Sequence, residues 1–185
     1  INPPIIDKCE GKFKPFERDL EKFARSWALP GTPGLEHRVG GLEKNPAGAV
    51  SSDPLVHEQM VAARAEKVAR VANYIPELEV VGNQEGDILI VGWGGTYGHL
   101  YTATKQLLEE GKNVGFAHFD YINPLPKNTK DVFKRFKKII VCELNSGQFV
   151  NYLRGLNPEF TFEQLNKVQG QPFIVKEIVD AVNAL

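Results

Sequence analysis

The sequence predicts an α/β fold in which helices cover both faces of a mainly parallel sheet. Four segments suited to strands lie near residues 88, 114, 139 and 162, about 25 residues apart, and amphipathic helical segments separate them. Residues 88–91 are continuously apolar, as expected for a strand that is covered on both faces. Strands that alternate with helices form right-handed βαβ crossovers. We therefore expect a three-layer α/β/α domain.

Residues 1–52 carry no comparable pattern. Prolines and glycines are dense between Pro30 and Gly48, and this density excludes long regular elements. A single helical turn over 20–25 is the most that we expect here. The segment nevertheless contains apolar side chains that need burial, namely Trp27, Leu29, Leu35, Val39 and Leu42. We therefore predict a largely irregular arm over 1–52 that packs against a partner.

A helix is predicted to lead from this arm into the α/β domain. Asp53 suits the N-cap, Pro54 suits the first helical position, and Pro76 closes the segment. Apolar residues share one helical face at positions 61, 65, 68 and 72. We assign residues 53–76 to this helical segment and residues 77–185 to the domain.

The domain alternates strands and helices along its length. Turn residues separate the predicted elements. Gly111 ends one helix, and Pro124 and Pro126 interrupt regular secondary structure. The predicted order is a strand over 88–91, a helix over 97–110, a strand over 113–119, a helix from 128 or 129, a strand over 138–143, a helix after 147, a short strand over 161–165 and a helix after 172.

The composition argues against some classes of partner and indicates a cellular compartment. The chain has 185 residues and a formal net charge of -1, so it lacks the basic surplus that binds nucleic acid. No apolar run approaches the ~20 residues that span a bilayer, and no secretory signal opens the chain. Two isolated cysteines, Cys9 and Cys142, suit a reducing cytoplasm. Ile1 at the start and a single methionine, Met60, indicate a piece of a longer polypeptide.

A glycine-rich turn follows the first predicted strand, at the sheet edge where ligands bind in parallel sheets. Backbone N–H groups at such a strand–helix junction can hold an anion. The third glycine of the dinucleotide fingerprint is absent, so we do not predict a nicotinamide cofactor. The alternative that we favour is a tight turn whose glycines permit close packing at a subunit contact. The candidate residues of this turn are Gly92, Gly94, Gly95, Thr96 and Tyr97.

Glu143 and Asn145 follow the third predicted strand and reach the same edge. Glu143 has no evident second carboxylate, so a general acid–base pair is not predicted. We favour a hydrogen-bonding role for both side chains, because such groups also cap the next helix.

Residues 33–44 form the most unusual stretch of the arm. His37 offers a titratable group and Arg38 a bidentate binder of carboxylate or phosphate. Gly40 and Gly41 would let a backbone approach a ligand closely, and Glu43 adds a carboxylate. Long glycine-rich loops with mixed functional groups are over-represented at sites. We therefore weigh a substrate or interface role against an exposed loop whose polar groups are merely solvated.

No motif for catalysis or cofactor binding occurs in this sequence. Nucleophile elbows, P-loops and H-E-x-x-H are absent, and so is the Gly-Asp-Gly motif that holds thiamine diphosphate through a metal. The two cysteines lack the spacing of an iron–sulfur or zinc site. We expect no catalytic residue, no metal ligand and no bound cofactor on this chain.

The segment from Ile88 to Glu143 resembles the C-terminal domain of transketolase. It contains a strand that ends in a Gly-x-Gly turn, a loop Asn123-Pro124-Leu125-Pro126, and a last strand that ends in Glu143. This resemblance implies a five-stranded sheet with one antiparallel strand. It also implies a domain that builds the oligomer and supports thiamine sites formed by neighbouring domains.

Two further phrases, "WALPGTPGLEHRVGGLEK" over 27–44 and "LNKVQGQPF" over 165–173, resemble the α-subunit of 2-oxoglutarate:ferredoxin oxidoreductases, in its C-terminal part. The resemblance implies conversion of 2-oxoglutarate and coenzyme A to succinyl-CoA and CO2, with reduction of ferredoxin. Thiamine diphosphate, Mg, an iron–sulfur cluster and coenzyme A serve the intact enzyme. They are implied to bind other domains or subunits.

The implied partners are the β-subunit, a preceding pyrimidine-binding domain of the same enzyme and, through the complex, ferredoxin. The chain itself would serve subunit assembly and active-site support without catalysing a reaction. Two alternatives stay open. The chain could come from a pyruvate or branched-chain 2-oxoacid enzyme, or it could be a free-standing binding module.

Overall fold

A computed structural model describes residues 4–185, so the predicted arm begins outside the described residues. The chain divides into two compact units, an N-terminal unit of Ile1–Tyr74 and a C-terminal unit of Ile75–Leu185. No helix of the described residues is both long enough and apolar enough to cross a bilayer.

The N-terminal unit is mostly irregular, and its regular elements are few. Two short strands, β1 (Ile5–Ile6) and β2 (Trp27–Ala28), pair in parallel, although we expected no strand in this region. Helix α1 spans Pro54–Arg70 and continues as a 3-10 turn over Val71–Asn73.

The helical turn predicted over 20–25 is wrong. The carboxylate of Asp19 accepts hydrogen bonds from the backbone N–H groups of Glu21, Lys22 and Ala24 at 2.6–3.0 Å. These bonds compete with helical hydrogen bonding, as Asp side chains commonly do in turns. The chain reverses there, and Arg18 pairs with Arg25 across an antiparallel bridge.

The start of α1 is as predicted, but the apolar face assigned to it is not buried. Asp53 accepts hydrogen bonds from the N–H groups of Leu55 and Val56, and Pro54 occupies the first turn. Of the predicted face, Val61 and Val68 remain 45% and 43% exposed. Met60 is the buried residue of the helix.

The C-terminal unit contains a five-stranded sheet in the order β3-β5-β4-β6-β7. Strand β3 runs antiparallel to β5, and the other neighbours are parallel. Its strands are β3 (Val80–Gly82), β4 (Gly86–Trp93), β5 (Val114–Phe119), β6 (Phe136–Glu143) and β7 (Phe162–Asn166).

Four helices cover the sheet and create two apolar layers. Helices α3 and α4 close the core around Val91, Phe119 and Val141 on one face, and α2 and α5 close the core around Ile90 and Ile140 on the other. The helices are α2 (Tyr97–Glu109), α3 (Thr129–Phe133), α4 (Gln148–Leu156) and α5 (Val175–Asn183).

The predicted three-layer α/β/α class is confirmed, and so are its mainly parallel order and its four strands. Central strand β4 pairs with both β5 and β6, which explains why Leu89, Ile90 and Val91 are all fully buried. The fifth strand, implied by the family resemblance, is β3. It has only three residues and is partly exposed, so periodicity does not reveal it.

Candidate functional site

The carboxyl ends of β4 and β6 lie side by side, because the two strands are parallel neighbours. The glycine-rich turn follows β4, with a 3-10 turn over Gly94–Thr96 that leads into α2. A Cβ on Gly92 would lie 2.1 Å from Cδ1 of Leu100, so this position needs glycine for α2 to pack against the strand. The buried hydroxyl of Thr96 donates to the carbonyl of Trp93 at 2.9 Å.

The remaining turn residues face outward. Gly94 has φ +57°, in the left-handed region that favours glycine. No heavy atom lies within 4 Å of a Cβ built on Gly95, so close packing does not explain this glycine. The ring of Tyr97 is half-exposed and lies 5.1 Å from the His118 ring in an edge geometry.

Glu143 is fully buried at the end of β6, and three donors satisfy its carboxylate. Oε2 accepts from the backbone N–H of Phe149 at 2.8 Å and from the indole Nε1 of Trp93 at 3.3 Å. Oε1 accepts from the N–H of Val150 at 2.8 Å. The negative charge therefore sits at the N-terminus of α4, where the free N–H groups and the helix dipole stabilise it.

Asn145 serves the same helix. Its Oδ1 accepts from the N–H groups of Gly147 and Gln148 at 2.8 and 2.9 Å. Asn145 and Glu143 together satisfy four backbone donors at the start of α4. Trp93, which sequence reasoning did not single out, links Glu143 to the end of β4.

A cavity of about 570 Å³ lies at the same sheet edge. Gly94 and Tyr97 of the predicted turn line it, whereas Glu143 and Asn145 do not. The remaining lining residues are Pro76, Glu77, Leu78, Glu79, Val81, Phe116, His118, Asp120, Tyr121 and Pro126. Carboxylates and aromatic rings dominate this lining, and no lysine or arginine belongs to it, so it favours a ligand that donates hydrogen bonds.

His118 is the titratable group of this cavity that is most enclosed. Burial lowers the pKa of His118 below its ordinary value, and the carboxylate of Asp120, 3.8 Å from Nε2, offsets part of that effect. Nδ1 is buried and has no hydrogen-bond partner among the described residues. The ring is thus held mainly neutral at pH 7.

The two thiols differ in their exposure. Burial raises the pKa of the Cys142 thiol to about 12, and the negative charge of Glu143 adds to the shift. This thiol is therefore protonated and inert at neutral pH. Cys9 is exposed and belongs to the other unit.

The unusual stretch of the arm folds around a lysine that sequence reasoning missed. Lys44 is only 2% exposed, and its Nζ donates to the carbonyl oxygens of Gly40 and Leu42 at 2.9 and 2.7 Å. The ammonium also lies 5.5 Å from the ring centroid of Phe16. Lys44 therefore fixes the Gly40–Gly41 loop. The sequence pattern did not predict this role, because lysine is rarely buried.

Glu43 ties the same loop to helix α1. Its carboxylate is within hydrogen-bonding distance of Nδ1 of His57 and forms an ion pair, at 2.8 Å, with Arg64. Hydrogen bonds from His57 and then Arg64 lower the pKa of Glu43 below its ordinary value. The pairing of Glu43 with Arg64 is therefore present at neutral pH and is lost as pH falls through the lowered pKa of Glu43.

His37 and Arg38 are both exposed, and only His37 has a described contact. Its Nδ1 lies 2.9 Å from the carbonyl oxygen of Leu35, and its ring meets Phe13 edge-on at 5.3 Å. Arg38 makes no hydrogen bond or ion pair within residues 4–185. Structure thus places His37, Arg38, Gly40, Gly41 and Glu43 in one loop and leaves the ligand-binding role of that loop a prediction.

The described residues do not fit the metal and cluster cofactors that the family resemblance implies for the whole enzyme. Within residues 4–185 no group of three or more His, Cys, Asp or Glu side chains could hold a metal ion. An iron–sulfur cluster needs several thiolates, and Cys142 is enclosed in the core. No reaction step is therefore assigned to such a group on these residues.

Known proteins match the chain along most of its length. It is 40% identical over 181 residues to the 2-oxoglutarate oxidoreductase subunit KorA of Mycobacterium tuberculosis, covering 95% of the chain and 27% of that subunit. It is 27% identical over 188 residues to the α-subunit of 2-oxoacid:ferredoxin oxidoreductase 1 of Aeropyrum pernix, covering 96% and 29%. No protein-family model matches the chain.

A solved structure matches the fold over nearly the whole chain. It is the 2-oxoglutarate:ferredoxin oxidoreductase of Magnetococcus marinus with 2-oxoglutarate, coenzyme A and succinyl-CoA bound. The TM-score is 0.83 at 31% identity, covering 95% of this chain and 31% of that one. The chain therefore spans less than a third of the length of each of these relatives.

The mixed five-stranded sheet and its glycine-rich edge turn define a three-layer α/β/α domain. The predicted resemblance is confirmed: over most of its length the chain is similar to part of the α-subunit of 2-oxoacid:ferredoxin oxidoreductases, and these relatives include 2-oxoglutarate enzymes.

We expect Glu143→Gln to destabilise the C-terminal unit by about 1–3 kcal/mol, because one buried backbone N–H would face an amide NH2 instead of an acceptor. Urea unfolding followed through tryptophan fluorescence measures the change. The matched control is Glu163→Gln on β7, an exposed position in the same sheet. Equal stability of the two variants would contradict the role assigned to Glu143.

We expect Lys44→Met to destabilise the folded Gly40–Gly41 loop by about 1–3 kcal/mol. Two carbonyl groups would lose their hydrogen-bond donor, while the apolar part of the side chain is retained. Amide hydrogen exchange over residues 40–45 should accelerate about tenfold or more. Lys8→Met, at an exposed lysine of the same unit, is the control. Unchanged exchange in Lys44→Met would show that the loop holds without this ammonium.

Proposed function

We propose that the chain is an assembly and active-site-supporting part of the α-subunit of a 2-oxoglutarate:ferredoxin oxidoreductase. The whole enzyme would convert 2-oxoglutarate and coenzyme A to succinyl-CoA and CO2 and reduce ferredoxin. The chain would catalyse no reaction alone. The observation that carries the proposal is the match, at TM-score 0.83, to such an enzyme over 95% of the chain.

The exposed apolar surface of the N-terminal unit supports an assembly role. Trp27 and Leu42 are 61% and 70% exposed, and Val39 is more exposed still. Trp27 and Val39 line one cavity, and contiguous exposed apolar side chains mark interaction sites more often than scattered ones do. We propose that this arm meets the β-subunit and the pyrimidine-binding domain of the same enzyme.

The cofactors belong to other parts of the enzyme in this proposal. Thiamine diphosphate would supply the carbanion chemistry of decarboxylation, with Mg holding its diphosphate and an iron–sulfur cluster carrying electrons. The residues described here would shape and close the surroundings of that site. Two unpaired cysteines are consistent with a cytoplasmic enzyme.

His37 and Arg38 are proposed to lie near the distal carboxylate of the 2-oxoacid. The fixed loop supports this idea, because Lys44 binds its backbone and Glu43 pairs with Arg64, while Arg38 makes no hydrogen bond or ion pair within residues 4–185. A guanidinium without an internal partner can form a bidentate pair with a carboxylate.

The substrate could instead be pyruvate or a branched-chain 2-oxoacid, because the Aeropyrum pernix relative is described only as a 2-oxoacid enzyme. A stand-alone binding module is the other alternative. Calorimetry of the chain against coenzyme A and thiamine diphosphate distinguishes a stand-alone binding module from a supporting part of an enzyme subunit. Clear binding of either compound would favour the module.

We expect the whole α-subunit to co-purify with its β-subunit. Leu42→Ser should weaken the complex at least about tenfold, because apolar anchor residues of an interface carry much of the binding energy. Leu156→Ser, at another exposed leucine, is the matched control. Failure of the wild-type subunits to associate would overturn the assembly role. Wild-type behaviour of Leu42→Ser would remove this part of the arm from the interface.

We expect Arg38→Met in the whole enzyme to raise the KM for 2-oxoglutarate about tenfold, which corresponds to the loss of one charge-assisted hydrogen bond. Steady-state kinetics separate this effect from a change in kcat. Lys8→Met, which removes an exposed cation from the same unit, should leave KM unaltered. An unchanged KM in Arg38→Met would exclude a role in binding the distal carboxylate.

A further inference from the structure

The carboxyl ends of β4 and β5 open into the cavity of about 570 Å³. This volume lies within the range of pockets that hold small molecules, and open α/β sheets bind their ligands at this edge. All of the lining residues belong to the C-terminal unit. Neither Glu143 nor Asn145 lines the cavity, so the capping of α4 does not account for it.

Three carboxylates line this cavity, and they carry an unbalanced negative charge. They belong to Glu77, Glu79 and Asp120. Within residues 4–185, Glu77 and Glu79 form no ion pair, and Asp120 has only the imidazole of His118 as a partner, at 3.8 Å. Since no lysine or arginine belongs to the lining, the cavity attracts positive charge.

The imidazole of His118 adds an unsatisfied polar atom to the same lining. Only 12% of this side chain is exposed, and its Nδ1 is buried with no hydrogen-bond partner among the described residues. A buried polar atom of this kind in a native structure calls for an explanation, such as a partner from outside the chain. In the neutral ring a proton on Nε2 would face Asp120. Nδ1 would then be an acceptor that needs a donor.

Aromatic rings form other walls of the cavity. Tyr97, Phe116 and Tyr121 belong to the lining, and the ring centroid of Tyr97 lies 5.7 Å from that of Phe116. The faces of such rings attract cations, and more strongly where water is excluded. The rings also offer apolar surface that can cover alkyl carbon. Carboxylates and aromatic rings together match a cation that carries an alkyl chain.

The N-terminus of α2 opposes a cation but is outweighed. Gly94 lines the cavity just before this helix, whose dipole places roughly half a positive charge at its start. Three full negative charges exceed this half charge. An anion at the same place would meet all three carboxylates.

A metal ion matches this cavity less well than an organic cation does. In the part of the chain that the structure describes, no group of three or more His, Cys, Asp or Glu side chains could hold a metal ion. Metal coordination needs several oxygen atoms at about 2.0–2.6 Å from one centre. Ammonium and guanidinium groups spread their N–H donors over a larger volume, so they can pair with carboxylates that stand further apart.

We propose that this cavity binds a small organic cation, an alkyl ammonium or alkyl guanidinium compound. Glu77, Glu79 and Asp120 would accept hydrogen bonds from its N–H groups. A small rotation of the half-exposed Tyr97 ring would open His118 to the ligand, and Tyr97 would then cover the alkyl chain. The site goes beyond the proposed enzymatic function, and its first test needs neither a partner subunit nor catalysis.

Titration of the full 185-residue chain with cadaverine, an aliphatic diammonium compound, tests the site. Histidine ring resonances are followed by NMR. The chain has four histidines, and His118→Gln identifies the resonance of His118. This resonance should move saturably with cadaverine, because the imidazole lines the cavity. Those of His37 and His57, in the other unit, should stay in place and serve as internal controls.

Asp120→Asn should weaken cadaverine binding at least about threefold, because a charge-assisted hydrogen bond is lost. The double change Glu77→Gln with Glu79→Gln should weaken it at least about tenfold for the same reason. All three carboxylates are exposed, so these variants should keep the fold. Glu163→Gln, which removes an exposed carboxylate from the strand at the opposite edge of the sheet, is the matched control and should bind like the wild type.

Tetramethylammonium and sodium glutarate at matched ionic strength distinguish a site for N–H donors from general attraction of ions. Tetramethylammonium is a cation without N–H groups, so it should bind at least about tenfold more weakly than cadaverine. Glutarate, an anion of similar length, should not move the His118 resonance saturably. A stationary His118 resonance with cadaverine would overturn the proposal. So would equal binding of either other ion, or the same affinity in all the carboxylate variants as in Glu163→Gln.

Calorimetry with the whole α-subunit separates a free cation from a side chain of the same enzyme. A lysine or arginine from another part of the subunit has the same chemistry and would compete for the cavity. The expected result is that the whole subunit binds cadaverine and that Asp120→Asn weakens this binding as it does in the 185-residue chain. If the whole subunit does not bind cadaverine, the cavity is not a site for a free small molecule and the proposal is wrong.

Discussion

The buried carboxylate of Glu143 joins three elements of the C-terminal unit at one point. It ends β6, accepts two backbone N–H groups at the start of α4 and accepts the indole N–H of Trp93 at the end of β4. A charge without these donors would be very costly in the core. The positions of β4, β6 and α4 at the sheet edge therefore depend on one another, and the glycine-rich turn is built on that frame.

The N-terminal unit is stabilised by different means. It has little regular structure, and polar side chains fix its loops from within: Asp19 caps a turn, Lys44 binds two carbonyl groups and Glu43 pairs with α1. Such bonds order a loop without burying its apolar side chains, so Trp27 and Leu42 stay exposed. The ordered loops therefore display apolar and cationic side chains at the surface of this unit.

Charge is distributed unequally between the two candidate regions. The cavity at the sheet edge is lined by carboxylates and aromatic rings around a mainly neutral His118, whereas the small cavity of the N-terminal unit is lined by Arg25 and His37. The first favours donors of hydrogen bonds and the second favours anions.

Local periodicity and turn chemistry are enough to predict the α/β class, the four parallel strands and the helix cap at Asp53. The exposed face of α1, the edge strand β3, the burial of Lys44 and the opposition of Arg18 and Arg25 were decided by tertiary structure. Each depends on residues distant in sequence or on a side chain in an unusual environment. Local sequence patterns indicate which residues can be buried. Only the tertiary structure determines which side chains contact one another.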